Sequence, residues 1–341
     1  MCMKRFSGIS LGILLILLLV GGVFIAGCTT TQPGPTTTTA VTTIPTTVAG
    51  EKTKLLVATT TSLYDTGLLN YLEPKFESMY NVDLQITSQG TGKAIEIAKK
   101  GDADVLLVHS PSQELAFVKD GFGINRRSFA SNYFMIVGPA NDPAGIANMT
   151  PEIAFTTLLQ KGTNKTPGIY FVSRGDASGT HSAEQKIWSN AKFNYTTNVS
   201  KSGDWYVEAG KGMGETLQMA SEKGAYTFTD EGTFLAYKSN MKLTPIITKG
   251  SSLLNIYSVM TVYNDKQPAE KIKMANNFVN FLISNQTQTD LSNFGVDKYG
   301  KALFTPMSVS VPTATAGWVG DYSTPATDFK PPAAANTTAA K

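Results

Sequence analysis

Cysteine and histidine are nearly absent from this 341-residue sequence, with two of each. Tetrahedral metal centres draw on three or four Cys or His ligands, so a structural zinc or iron–sulfur site has no material. The cysteines are Cys2 and Cys28, both ahead of the globular part, which leaves no disulfide there. Charge of one sign is equally scarce. Basic residues number 29 and acidic residues 26, for a net +3, and no Lys/Arg block interleaves with aromatics. Nucleic acid is thereby excluded as a partner. No repeat recurs at a fixed period. What the chain has is apolar mass, 42% of residues, enough for a core in one large or two medium domains.

The first residues place Lys4 and Arg5 before an apolar run from Ile9 to Ala26, then small residues before Cys28. Basic, apolar and small regions in that order read as an export signal over residues 1–27. Ile25-Ala26-Gly27-Cys28 resembles a lipobox, which implies a lipidated Cys28. The alternative is an uncleaved signal anchor, since the run is near the length needed to span about 30 Å of hydrocarbon. Either way the remaining chain is expected outside the cytoplasm, anchored to the outer face of the cell membrane. Residues 28–50 are Thr- and Pro-rich without period, the composition of a solvated stalk. Residues 313–341 are Pro-, Ala- and Thr-rich again and are expected to form a flexible tail outside the fold. Asn148, Asn164, Asn194, Asn198, Asn285 and Asn336 each begin an N-x-S/T triplet, compatible with an exported glycoprotein.

Between these ends, short apolar runs alternate with helical patterns. "KLLVATT", "VDLQITS" and "DVLLVH" read as strands. Between the first two, Leu68, Leu72, Phe76 and Met79 fall at helical spacing, and "GKAIEIAKKG" is a short helix ending at Gly101. The rhythm restarts with "PGIYFVSR", and "PAEKIKMANNFVNFLISN" sets Ile272, Ala275, Phe278, Val279 and Leu282 on one face of a last helix. An α/β fold of two lobes is expected, each a mostly parallel sheet flanked by helices. Lobe one takes residues 51–138 and 251–312, and lobe two takes 139–250. Ligands of such sheets sit at the carboxyl ends of the strands.

Three clusters of donors lie at those ends. Thr59, Thr60, Thr61 and Ser62 follow the first strand, Ser88, Gly90, Thr91 and Gly92 the second, and "SRGDASGTH" the first strand of lobe two. A helix start offers unpaired N–H groups and a partial positive charge, and hydroxyls add neutral donors. For any single Ser or Thr the plain alternative is an N-cap, worth about 1 kcal/mol. Arg174 adds a permanently charged planar fork suited to an oxyanion, and its alternative partner is Asp176. Gly175 and Gly179 permit a tight turn and close backbone approach, and Ser178 and Thr180 stand at the helix entrance.

Rival chemistries fail on the same residues. "GDASG" is like a protease nucleophile loop with its serine displaced, and neither His109 nor His181 is placed by sequence to serve Ser178 as a base. His109 is expected merely to end a strand. "GTGKA" lacks both the first glycine and the final hydroxyl of a Walker A loop, and "GKGMGE" is a lone glycine pattern.

Across Leu55–Phe304 the chain resembles the tungstate-binding proteins of ABC tungstate transporters, extracytoplasmic solute-binding proteins of the two-lobed type II periplasmic-binding-protein kind. The likeness rests on "ATTTSLYDTGLLNYLEPKFE", "GTGKAIEIAKKGDADVLLVHSP", "FVKDGFGINRRSFASNYFMIVGP", "FVSRGDASGTHSAEQKIW" and "EAGKGMGETLQMASEKGAYTFTDEGTFLA", in that order. It implies oxyanion-binding roles for Thr60, Thr61, Ser62, Arg174, Ser178 and Thr180, with Thr91 and Gly92 beside them. Gly179 counts with these for backbone approach, and Asp176 as the group that orients Arg174. It implies capture of tungstate or molybdate without catalysis or cofactor, delivery to an ABC permease with its ATPase, and a monomer. A phosphate-type oxyanion is the alternative ligand, because a protonated anion profits from an acceptor carboxylate, and Asp104 and Asp176 are the candidates. Asp176 is expected to face Arg174, and Asp104 to sit at a strand start. A surface structural glycoprotein would explain the stalk but not the donor clusters.

Overall fold

The computed structural model describes residues 52–309 and 320–328. The expected signal segment, Cys28, the stalk to Gly50 and Asn336 lie outside the described residues. The strands are β1 (Thr53–Thr60), β2 (Val82–Gln89), β3 (Val105–Val108), β4 (Gly123–Pro139), β5 (Phe171–Ser173), β6 (Tyr206–Glu208), β7 (Tyr226–Asp230), β8 (Leu243–Ile247), β9 (Leu254–Val262) and β10 (Thr305–Pro306). The helices are α1 (Thr61–Asp65), α2 (Leu68–Tyr80), α3 (Thr91–Lys100), α4 (Pro111–Lys119), α5 (Pro151–Thr163), α6 (Gly179–Asn190), α7 (Met213–Lys223), α8 (Glu231–Tyr237), α9 (Ala269–Ile283), α10 (Asn285–Asn293) and α11 (Val296–Tyr299).

Hydrogen bonding orders the strands β2-β1-β3-β9-β4-β7-β5-β6, with β8 and β10 also paired to β4. β1 runs parallel to β2 and β3, and β5 runs parallel to β6 and β7. Between these two parallel groups lie β4 and β9, each antiparallel to its neighbours. β4 belongs to both groups. Its stretch Gly123–Tyr133 pairs with β9, and from Phe134 onward it pairs with β7 and β8. The chain therefore changes partners at Tyr133 and Phe134, inside a continuous strand, whereas the sequence suggested an exit near Pro139. The strand absorbs its irregularities as register shifts near Asn125 and Phe129 instead of breaking, and the apolar run Tyr133–Val137 carries it across the change of partners.

Each parallel group packs its own core. Leu55, Leu72, Phe76, Phe278 and Leu282 are buried beside the first. Phe155, Trp188, Phe228 and Tyr226 are buried beside the second. In α2, Leu68, Leu72 and Phe76 are inside as their spacing predicts, but Met79 is 60% exposed. In the last turn of that helix Tyr80, not Met79, packs against Phe76 and the core, and Leu69 supplies a further inward side chain. On α9, Ala275, Phe278, Val279 and Leu282 are buried and Ile272 is half-buried. Helix α3 stops at Gly101, whose φ of 84° lets its N–H cap the carbonyls of Ala98 and Ile97.

Residues 320–328, which composition assigns to a flexible tail, lie against β4 and α9. Ser128 N donates to Asp321 O at 3.0 Å, Arg127 Nε to Thr324 O at 2.6 Å, and Ala326 N to Asn280 Oδ1 at 2.6 Å. Asn276 Nδ2 donates to Thr327 O and Asp328 Oδ1. A Pro/Ala/Thr segment exposes unpaired backbone groups, and long polar side chains of the body bind them, a match that composition alone does not reveal.

Candidate functional site

The carboxyl ends of β1, β2 and β3 lie side by side, as do those of β5 and β7, because strands within each group are parallel. β1 runs into α1 through Thr60, β2 into α3 through Gly90, and β5 reaches α6 through Arg174–Ser178. These loops meet. Arg174 Nη2 donates to Thr61 Oγ1 at 3.1 Å, and Gly92 N donates to Ala177 O at 3.3 Å. A Cβ built on Gly90 would lie 3.1 Å from Asp176 Oδ2, so that glycine admits the carboxylate.

Arg174 is 2% exposed, and Nη2 also pairs with Asp176 Oδ2. Its Nε and Nη1 have no hydrogen-bond partner among the described residues. A buried guanidinium with two unsatisfied donors is costly unless an anion meets them. Asp176 Oδ1 accepts from Ser178 N at 3.2 Å, so both carboxylate oxygens are engaged. Gly175, at φ 61°, makes the turn between them.

The hydroxyls divide into two sets. Thr60 Oγ1 accepts from Leu63 N at 3.2 Å and Ser178 Oγ accepts from His181 N at 3.1 Å, so both are N-caps. An accepting hydroxyl still keeps its own hydrogen to donate. Thr91 Oγ1 and Thr180 Oγ1 are buried with no partner among the described residues, as is Thr59 Oγ1. The first-turn N–H groups of Gly179 and Thr180 have no acceptor within the helix. Gly92 differs from expectation, because its N–H is taken by Ala177 O and ties two loops together.

Asp104 is not part of this arrangement. It precedes β3, at the opposite end of that strand, where its carboxylate accepts from Leu56 N at 2.9 Å and Gln267 Nε2 at 2.7 Å. Besides Asp176, two other carboxylates feel the charge of Arg174. Burial pushes Asp65 up to about 6 against the pull of Arg174, with Asp230 adding to the rise. Burial also raises Asp230, whose oxygens accept from Thr233 N and Oγ1 at 2.9 and 2.7 Å.

Ser62 Oγ lies 2.8 Å from His109 Nε2, and His109 Nδ1 lies 3.0 Å from Asn255 Oδ1. A hydroxyl, imidazole and amide in series resemble a nucleophile relay. Burial, however, drives the His109 pKa down to about 4, which leaves a feeble base, and Ser62 is fully buried. Burial lowers His181 as well, and its Nδ1 accepts from Ala177 N at 3.0 Å. A cavity of about 510 Å³ shares His109 and Gly179 with the site but is not lined by Arg174, Thr91 or Thr180. Among the described residues, no three His, Cys, Asp or Glu are grouped to hold a metal, and no helix is long and apolar enough to cross a membrane.

A family profile described as "PBP superfamily domain" matches residues 33–286. The chain belongs to the PBP superfamily. A tungstate-binding protein of Peptoclostridium acidaminophilum is 39% identical over 255 residues, which cover 75% of this chain and 86% of that one. A crystal structure of the tungstate ABC transporter from Geobacter sulfurreducens is 41% identical, covers 71% of this chain and 98% of its own, and superposes with a TM-score of 0.62. The tungstate-binding protein from Desulfovibrio alaskensis is 40% identical, with coverages of 74% and 98% and a TM-score of 0.60.

In this member of the PBP superfamily, His109, Asn255, Asp65, Asp230 and Thr233 adjoin the site without having been expected there. The strand-end rule that found Arg174 also applies to "TDEGT" after β7, and would have flagged Asp230 and Thr233. For Asn255 no local signal exists. It lies at the start of β9, over a hundred residues from its partners Asn132 and His109.

Proposed function

We propose that the protein captures a fully deprotonated tetrahedral oxyanion, tungstate with molybdate as its near-isostere, and hands it to an ABC permease driven by an ATPase. The observation that carries this reading is the set of buried donors without partners among the described residues: Arg174 Nε and Nη1, Thr91 Oγ1 and Thr180 Oγ1. Around them, Thr60, Thr61, Ser62, Ser178 and Gly179 complete a ring of hydroxyl and N–H groups, and Asp176 orients the arginine. An anion with no proton needs donors alone. Phosphate fits less well, because both oxygens of Asp176 already accept from Arg174 and Ser178. The tungstate-binding relatives support the choice of ion. The two parallel groups act as lobes that close on the anion, with β4 and β9 as the connection between them. The chain works outside the cytoplasm as a monomer, held by a lipid on Cys28, in keeping with the order of basic, apolar and small residues before that cysteine.

Thermal denaturation with each anion tests the reading. Tungstate at about 100 times its dissociation constant should stabilise the protein by roughly 2.7 kcal/mol, with sulfate and phosphate giving less. Absence of a shift with every one of these anions would refute it.

A further inference from the structure

We propose that His109 is a positioning residue of the oxyanion site, holding the Ser62 hydroxyl through Nε2 while the paired strands β4 and β9 hold its Nδ1 through Asn255 and Asn132. The inference rests on the oxyanion reading and adds a residue to it.

The direction of each bond follows from the next. Asn132 and Asn255 are register partners on β4 and β9, and Asn255 Nδ2 donates to Asn132 Oδ1 at 2.9 Å. The Asn255 oxygen therefore faces His109 Nδ1, 3.0 Å away. A carbonyl oxygen only accepts, so Nδ1 carries the proton. Burial keeps the ring neutral, which leaves Nε2 as an acceptor, and the one hydrogen of Ser62 is directed to it across 2.8 Å. That hydrogen has a second, longer acceptor in Thr60 Oγ1 at 3.2 Å; when the shorter contact to His109 takes it, Ser62 Oγ meets Thr60 with lone pairs alone. Thr60 is thus left to donate its own hydrogen to Ser62 or to the anion, and Ser62 serves the anion by its backbone N–H.

Packing confines the ring between α6 and β9. A Cβ built on Gly179 would meet His109 Cε1 at 2.7 Å, so the start of α6 rests directly on the imidazole, and Tyr257 lies against it at 5.0 Å between ring centroids. From the other side Thr233 Oγ1 lies 3.1 Å from the Ser62 carbonyl, sharing its one hydrogen between that oxygen and the closer Asp230 Oδ2 at 2.7 Å. One imidazole thereby touches the β1 loop, the α6 start and β9, three parts of the chain that must agree in position for the donors to converge.

Two measurements on the full protein test the relay. Nitrogen NMR of labelled histidine in the unliganded protein should show opposite tautomers: Nδ1–H at His109, and Nε2–H at His181, whose Nδ1 accepts from Ala177. The His109 signal is the one lost in His109→Asn. An Nε2–H tautomer at His109 would overturn the relay. In calorimetric titration with tungstate, His109→Asn, which keeps an amide near the Nδ1 position but loses the acceptor for Ser62, should bind about tenfold more weakly, the worth of one hydrogen bond. In a Ser62→Ala background the same change should cost less than about twofold, since the two side chains act as one unit. An undiminished penalty there would overturn the proposal. Wild type that fails to bind tungstate would refute the choice of ligand, while the tautomer still decides the relay.

Discussion

Replacing Arg174 by alanine should damage binding far more than folding. Nε and Nη1 are the two donors left for a ligand, and a hydrogen bond to a charged group contributes about 1.5–3 kcal/mol. Their loss amounts to roughly 3–6 kcal/mol of affinity, or about two to four powers of ten in dissociation constant. Stability has a different sum. The variant loses the bonds from Nη2 to Thr61 Oγ1 and Asp176, but it also removes a guanidinium that is 2% exposed and whose desolvation opposes folding. Asp176 keeps Ser178 N as a donor, and its side chain retains 16% exposure to water. The net loss should stay near 1–2 kcal/mol. Tungstate calorimetry on wild type and Arg174→Ala, paired with urea unfolding of both without ligand, separates the two quantities. Equal losses in affinity and stability would show that the arginine is structural and that the free donors are incidental.

Gly179→Ala puts a methyl 2.7 Å from the His109 ring, so it should cost about 1–3 kcal/mol of stability by overpacking and weaken tungstate binding as well; an unchanged urea midpoint would contradict the close packing. Glu184 is buried and accepts from Ser173, Trp188 and Tyr206, and burial pushes it up to about 7 from an ordinary 4.5. The folded state then holds its proton where the unfolded chain has released it, so this group's contribution to stability falls as pH rises from about 4.5 to about 7. Glu184→Gln should flatten that part of the stability curve, and a parallel curve would refute the shift. Ending the chain before Gly320 removes the contacts of Asp321, Thr324, Ala326 and Thr327, and should lower stability by about 2–3 kcal/mol with tungstate affinity unchanged, since none of these residues touches the donor set. Loss of affinity with retained stability would reverse that assignment.

The parts of the site legible in the sequence are those where chemistry is local. "TTTS" and "SRGDASGT" carry several donors within one turn after a strand, and the parallel arrangement brings them together without further information. Where a residue gains its role from a distant partner, sequence was silent or misleading. His109 reads as a strand end until Asn255 and Ser62 close around it. Gly92 looks like a free amide until Ala177 arrives. Asp104 was a candidate acceptor on residue type alone, and strand direction removed it, because a residue before a parallel strand emerges at the wrong end. The same limit applies to the fold. Period identified β1 to β3 and the helices between them, but the partner change within β4 is a property of β7, β8 and β9.

The position of β9 between β3 and β4 has a consequence for the order of assembly. When synthesis has reached Pro139, β1, β2, β3 and the whole of β4 exist, yet β3 and β4 share no ladder, and each presents an open edge to the other. The missing strand is encoded more than a hundred residues later. The stretch from Phe134 through Ile247 is different, for it holds β5, β6, β7, β8 and the end of β4 in contiguous chain. The middle of the polypeptide can thus complete its pairing first. The outer two pieces then wait for each other, joined late by contacts of high sequence separation, which makes closing the first sheet the slow step.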